Sequence, residues 1–281
     1  MTTRLLAFAG NKQSGKTTCS NFLHGYQLRS HNIVNGFNIT DGGELVVGTE
    51  FINSGGEKEQ GHAILDVKRI DLDFAEWAAY NMWPYVKSYS FADPLKNIAI
   101  ELFGIKEEQV FGTDIQKNTK THLKWEEMPQ VRASKRKPVK RGKMTAREFL
   151  QFFGTEICRK IDEEVWVSRL IKDVTNEGSL LALVDDCRFP NEAESIQNAG
   201  GKVIHLTRSK YKDSHKSENA FPKDYEFDAV INNANMTIQE THVELVKVIE
   251  EWGWFGSPIP EGPQEDEPKL VGGIHTIRGS E

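Results

Sequence analysis

The sequence predicts an α/β protein in which a mostly parallel sheet is flanked by helices. Three observations carry that expectation. The runs RLLAFA (4–9), SLLALV (179–184) and GKVIHL (201–206) are almost continuously apolar instead of alternating, as strands covered on both faces are. Segments with helical spacing stand between the runs, which is the order that winds a parallel sheet. With 281 residues, 38% of them hydrophobic, the chain can bury a large core as one domain or as one domain with an inserted part.

Taken in order, residues 4–9 form the first strand, and the glycine-bearing stretch GNKQSGKT (10–17) follows at once. From Gly15 to about Arg29, Phe22, Leu23 and Tyr26 recur at three- and four-residue spacings, which predicts a helix. The texture changes over 32–73. Asn-Gly, Asp-Gly-Gly and Ser-Gly-Gly turns separate β-rich pieces such as ELVVGTEFI, the pattern of a hairpin insertion. A short helix over 74–82 precedes the strand VKSYSFA. Asp93-Pro94 then opens a helix, since proline in a first turn forfeits no hydrogen bond. The polar stretch 104–143 reads as a loop or lid, and its end, VRASKRKPVKRGK, holds seven Lys or Arg and no acid. Thr145 and Glu148 form a capping box for a helix over 146–160, with another over 163–174. SLLALVDD, GKVIHLTR and DAVINN are strands, a helix starts at Pro190, and a terminal helix covers 237–252. The expected division is one domain over 1–255, with inserts at about 32–73 and 104–143, and a loosely ordered Pro/Gly/acidic tail over 256–281.

Bulk properties exclude several classes. A net charge of −6 argues against a surface that coats nucleic acid, although the basic run 132–143 remains a local candidate for it. Cys19, Cys158 and Cys187 are widely spaced with no C-x-x-C pair, so free thiols are expected instead of a disulfide framework or a zinc site. The apolar run after Arg4 is too short for a signal peptide, and none approaches membrane-spanning length. A cytoplasmic protein with no membrane partner is the expectation.

The chemistry lies in five stretches. G-x-x-x-x-G-K-T behind a buried strand and ahead of a helix lets backbone N–H groups wrap an anion, with the helix N-terminus adding positive charge. Gly10, Lys12, Ser14, Gly15, Lys16, Thr17 and Thr18 are therefore the candidates for a triphosphate. Lys16 suits the β- and γ-phosphates, and the Thr17 hydroxyl suits Mg²⁺. Lys96 in SFADPLK either reaches an acceptor phosphate or is a solvated helix lysine. In VDDCRFPNE, Asp185 and Asp186 end a strand as a metal-binding carboxylate pair does, with Arg188 beside them, while Glu192 either joins them or caps its own helix. In LQFFGTEICR, Gln151 and Thr155 share a helical face, and Gly154 permits close approach by a ring or sugar. Trp166 either walls a base pocket or belongs to the core. HLTRSKYKDSHKSE places Arg208, Lys210, Lys212, His215 and Lys216 past a strand, as a closing loop or as a charged solvent loop.

GNKQSGKTT, SFADPLKNIA, REFLQFFGTEICR with EEVWVSRL, VDDCRFPNEAESIQNAGGKVIHLTR, DSHKSE and DAVINN, in this order, resemble the bacteriophage deoxynucleoside monophosphate kinases, a branch of the P-loop nucleoside monophosphate kinases. The resemblance covers most of the chain except about 30–80, 104–143 and the tail. It implies a P-loop kinase fold with a lid and inserted acceptor-binding segments, ATP as donor with Mg²⁺, and a dNMP as acceptor. By motif match Lys16, Arg188 and Arg208 would be catalytic, with Arg208 in the lid. Thr17 and Asp185 would serve the metal. Lys96, Gln151, Gly154, Thr155, Trp166, Asp186, Arg188 and Glu192 would take the monophosphate. A homodimer in the host cytoplasm is the expected state of a phage-encoded enzyme. Two rivals stand beside this: a P-loop kinase acting on a modified base in DNA, and a non-catalytic nucleotide-binding protein.

Overall fold

The computed structural model describes residues 3–52, 56, 58–69, 71–129, 140–208, 221–222 and 224–255. The chain forms two compact units, Met1–Tyr89 with Asp173–Glu281, and Ser90–Lys172. The first unit begins with β1 (Arg4–Gly10), α1 (Lys16–Ser30), β2 (Phe37–Ile39), β3 (Leu45–Ile52), β4 (Lys58–Ile64), α2 (Leu72–Asn81) and β5 (Val86–Tyr89). The second contains α3 (Asp93–Glu101), α4 (Glu107–Phe111), α5 (Asp114–Lys117), β6 (Lys120–Lys124), β7 (Lys143–Thr145), α6 (Ala146–Gln151) and α7 (Arg159–Ile161). α8 (Val165–Glu177) runs past the end of the second unit. The first then resumes with β8 (Leu181–Cys187), α9 (Pro190–Asn198), β9 (Lys202–Leu206), β10 (Ala229–Ile231) and α10 (Ile238–Glu251).

The first unit is built on a five-stranded sheet in the order β10-β9-β1-β8-β5, parallel throughout. Leu6, Phe8, Leu183, Ile204 and Leu206 turn one face toward Leu23 of α1 and Leu245 and Ile249 of α10, all buried in one cluster. Each such side chain contributes roughly 1.5–3 kcal/mol on burial. α9 packs on β1 and β9, with Ala193 and Ile196 fully buried. Apolar runs without alternation are what this double covering requires.

β2, β3 and β4 form a separate antiparallel sheet, with Leu45 and Val47 of β3 buried in the same core. Gly25 lets it sit against α1: a Cβ there would lie 2.2 Å from the Phe37 ring. The sheet's first turn meets α1 one level higher. Asn21 Nδ2 donates to Gly43 O at 2.8 Å, and a Cβ on Gly43 would come 2.4 Å from Thr18 Oγ1.

The second unit departs from the loop expected over 104–143. Its part before residue 130 folds into α4, α5 and β6, and β6 pairs antiparallel with β7 around Ala99, Ile105, Val110, Met144 and Phe149. These elements span only four or five residues, too few to show a period, and α5 is nucleated by a Thr113–Gln116 capping box. Residues 130–139, including Arg132 and Arg136, and the tail over 256–281 lie outside the described residues. The box at Thr145 forms as expected, with Glu148 N donating to Thr145 Oγ1 at 3.1 Å and Thr145 N to Glu148 Oε2 at 2.9 Å. The helix it starts does not stay regular: Phe152–Cys158 widens into π-helical turns, a geometry common at functional sites.

Two histidines are enclosed in the first unit's core. His24 Nδ1 lies 2.9 Å from Ser20 O, and His242 stacks on Phe22 at 4.2 Å. Burial pushes each down to about 4, so both are neutral in the fold. Their folded values lie below the unfolded one. The unfolded chain therefore binds more protons between about pH 6.5 and 4, and stability falls as pH falls through that window. Urea denaturation at pH 5.5 is expected to show a loss of roughly 1 kcal/mol per histidine relative to pH 7.5, and His242→Phe should lessen it. An unchanged pH dependence in that variant would contradict the assignment.

Candidate active site

β1 delivers the chain to its carboxyl end between β8 and β9, the switch point at which open parallel sheets take ligands. The turn there requires glycine. Gly10 has φ +138°, and a Cβ on it would sit 2.5 Å from Leu206 O of β9. Gln13 at φ +61° and Gly15 at φ +103° complete the curl into α1. Lys16 crosses the loop, its Nζ donating to Gly10 O at 2.8 Å and Asn11 O at 2.7 Å. The first turn of α1 adds N–H groups that have no acceptor within the helix. Ser14 is fully buried, and its hydroxyl has no hydrogen-bond partner among the described residues. Lys12 is exposed on the loop, and Thr18 borders Gly43.

Asn233, which the sequence reading passed over, locks this loop in place. Its Nδ2 donates to Ser14 O at 2.8 Å, and its Oδ1 accepts from Arg208 N at 2.9 Å. Arg208 turns back on the same turn, giving Nε to Asn233 O at 3.1 Å and a terminal nitrogen to Met236 O. The second Asn of DAVINN is thus buried at the loop while Asn232 is exposed. Nothing in the local pattern separates the two. Lys210, Lys212, His215 and Lys216 lie outside the described residues.

Asp185 and Asp186 occupy a register irregularity in β8. Ala7 faces Val184 but Ala9 faces Cys187, so the acidic pair fits opposite one residue of β1. Asp185 Oδ2 accepts the Thr17 hydroxyl at 2.9 Å, and Lys68 binds both of its oxygens at 3.0 and 2.8 Å. Burial works to raise the Asp185 pKa. The Lys68 charge, the hydrogen bonds from Lys68 and Thr17, and Lys16 together hold it below the ordinary carboxylate range. One hydroxyl beside one ionised carboxylate fits Mg²⁺, which keeps waters and phosphate oxygens in its shell and needs few protein ligands. Lys68 comes from the β-rich insert and belongs to no motif, so no local signal marks it.

Glu192 caps α9: its Oε2 accepts Arg188 N at 2.8 Å and Phe189 N at 3.1 Å, with the residue 3% exposed. It thereby fixes the backbone of Arg188, whose side chain is exposed, while Asp186 is half-buried.

In the second unit, cations gather. Lys96 Nζ lies 2.8 Å from Asp93 Oδ1 and 4.8 Å from the Phe111 ring centre. Arg147 binds Asp114 at 2.6 Å, yet its Nε is buried with no hydrogen-bond partner among the described residues. The Lys117 ammonium is held below the usual lysine range, first by burial and then by the positive charge of Lys96, with Asp114 opposing and Arg147 adding to the effect. A cluster of positive charge of this kind suits a polyanion. Lys117 and Arg147 were not among the sequence candidates; Arg147 stands inside the quoted REFLQFFGTE stretch. The close approach permitted by Gly154 is taken by Leu95, to which a Cβ would come within 2.6 Å. Trp166 is 5% exposed and donates its Nε1 to Gly154 O at 3.2 Å, so it braces the π-helical turn. Gln151 and Thr155 are exposed.

The comparisons with known proteins point to a family of nucleotide kinases. A model of the deoxynucleotide monophosphate kinase family matches residues 95–243. A protein of Acanthamoeba polyphaga mimivirus, itself provisionally assigned as a deoxynucleotide monophosphate kinase, is 28% identical over 176 residues, which covers 57% of this chain and 81% of the relative. Among the described residues no helix is long and apolar enough to cross a membrane.

Asn233→Leu is expected to cost about 2 kcal/mol in urea denaturation, because it leaves Ser14 O and Arg208 N without their buried partner. Asn232→Ala should cost less than about 0.5 kcal/mol. Equal losses at the two positions would show that Asn233 has no special place at the loop.

Proposed function

The chain belongs to the deoxynucleotide monophosphate kinase family, and from that premise we propose that it moves the γ-phosphate of ATP onto deoxynucleoside 5′-monophosphates, supplying diphosphate precursors for phage DNA synthesis. The observation that carries the donor half is the Thr17–Asp185 pair beside the loop that Lys16 closes, a hydroxyl in the first turn of α1 and a carboxylate near the end of β8, 2.9 Å apart. Thr17 and Asp185 are the residues that would hold Mg²⁺, and bound there it would neutralise charge on the phosphate oxygens.

The remaining steps fall to the chain itself. Loop N–H groups and the start of α1 take the β-phosphate, and Lys16 exchanges its carbonyl partners for phosphate oxygens. Lys96, Lys117 and Arg147 supply positive charge for the acceptor's phosphate, and the unpartnered Arg147 Nε supports that role. A phosphate monoester with a second pKa of about 6 is largely dianionic at neutral pH and attacks in line without a general base. Asp186, Arg188, Gln151 and Thr155 are assigned to the acceptor by their place in the motifs, and the Gly154–Trp166 contact braces the helix that carries Gln151 and Thr155. Arg188 and Arg208 are assigned to the charge that spreads over the transferring group.

Release of ADP, measured with each dNMP in turn and with duplex DNA, tests the reading. Stimulation by dNMPs supports it, stimulation by DNA alone favours the modified-base reading, and slow turnover indifferent to both favours a non-catalytic nucleotide binder. Lys16→Ala should lower dNMP phosphorylation at least about a hundredfold while its melting curve stays unchanged. Near-normal turnover would remove Lys16 from the site. Lys117→Ala and Arg147→Ala should each weaken kcat/KM for the dNMP by roughly ten- to a hundredfold and leave KM for ATP within about twofold. The opposite pattern would move those cations to the donor.

A further inference from the structure

Lys68 stands in the turn that leaves the antiparallel sheet, and the chain that leads into it is fixed. Leu65 N donates to Leu45 O at 2.8 Å, Val67 is buried in the core, and Lys68 N donates to Asp66 Oδ1 at 3.0 Å. From there the ammonium reaches across to Asp185. The Lys68 side chain is 47% exposed, whereas that of Asp185 is 4% exposed. The oxygen that accepts the Thr17 hydroxyl at 2.9 Å is the same one that Lys68 approaches to 2.8 Å. A positive charge therefore already sits at the carboxylate that the proposed donor site offers to a divalent cation.

We propose that Lys68 is a stand-in for, and a competitor of, the divalent cation at the donor phosphates. This rests on the kinase reading of that site. While it binds Asp185, Lys68 supplies part of the positive charge that a bound phosphate needs, so nucleotide binds appreciably without metal. A divalent cation must displace the ammonium from Asp185, so metal tightens nucleotide binding less than it otherwise would. The β-rich insert thus contributes to the donor site as well as covering α1.

The readout is an equilibrium one. ADP is titrated into the full chain by calorimetry, once with saturating Mn²⁺ and once with EDTA, and the ratio of the two Kd values measures the coupling of metal and nucleotide. Lys68→Gln should raise that ratio roughly tenfold, the size expected of one partly exposed charge a few ångströms away. Lys68→Arg, which keeps the charge, should return it to within about twofold of the natural protein. In an Asp185→Asn background, Lys68→Gln should leave the ratio unmoved, because the partner through which it acts is gone. A natural protein that binds ADP, with a ratio indifferent to Lys68→Gln, overturns the inference and leaves the kinase reading standing. An effect that persists undiminished without Asp185 also overturns it. If the natural protein binds ADP under neither condition, the donor-site reading falls and this inference falls with it. A purely structural ion pair would lower the melting temperature of Lys68→Gln without moving the ratio, which likewise counts against the proposal.

Discussion

Parallel pairing of β1 with both β8 and β9 is the constraint from which the proposed donor site follows. Because all three strands point the same way, their carboxyl ends deliver three different loops to one edge. β1 brings the curled backbone, β8 the acidic pair, and β9 Arg208. The approach is close enough that Gly10 has no space for a Cβ beside Leu206 O. A substitution there would strain the backbone and separate the strands. The site's geometry is in this sense a property of the sheet, with the loop residues filling a place that the pairing has already defined.

Charge balance then decides what that edge can do. A buried carboxylate is costly unless it is paired and hydrogen-bonded. Asp185 meets that condition through Lys68, Thr17 and Lys16, which together outweigh the upward push of desolvation on its pKa. The two buried histidines nearby are balanced in the other way, by giving up their protons. One core thus contains a carboxylate kept charged and imidazoles kept neutral. The difference lies in the partners each group finds, since both types are buried.

The second unit shows how a small region assembles one scaffold from short pieces. α4, α5 and the β6–β7 pair are each too short to persist alone. Capping boxes and a compact aromatic core of Phe103, Phe149 and Phe153 hold them. That scaffold half-buries Lys117 beside Lys96 and Arg147, and burial first, then the positive charge of Lys96, depresses its ammonium. The widening of the helix at Phe152–Cys158 allows Leu95 to press against Gly154 and Trp166 to bond its carbonyl. What looks in the sequence like an opening for a ring or sugar is, within this unit, a packing contact.

The linear sequence determined the alternation of strands and helices, the glycine-bearing turn into α1, the capping box at Thr145 and the identity of the acidic pair, because each depends on neighbours within about four residues or on the apolar period of a single element. It did not determine the short elements of 104–129, whose few residues show no period. Nor did it determine Lys68, Asn233, Lys117 or Arg147 as partners, since each meets its site across a long separation in the chain, as Lys68 meets Asp185 and Asn233 meets Ser14. Only tertiary structure decided those encounters. Hydrogen bonds and ion pairs act over a few ångströms of space, and distance along the chain carries no record of which side chains packing will bring within that range.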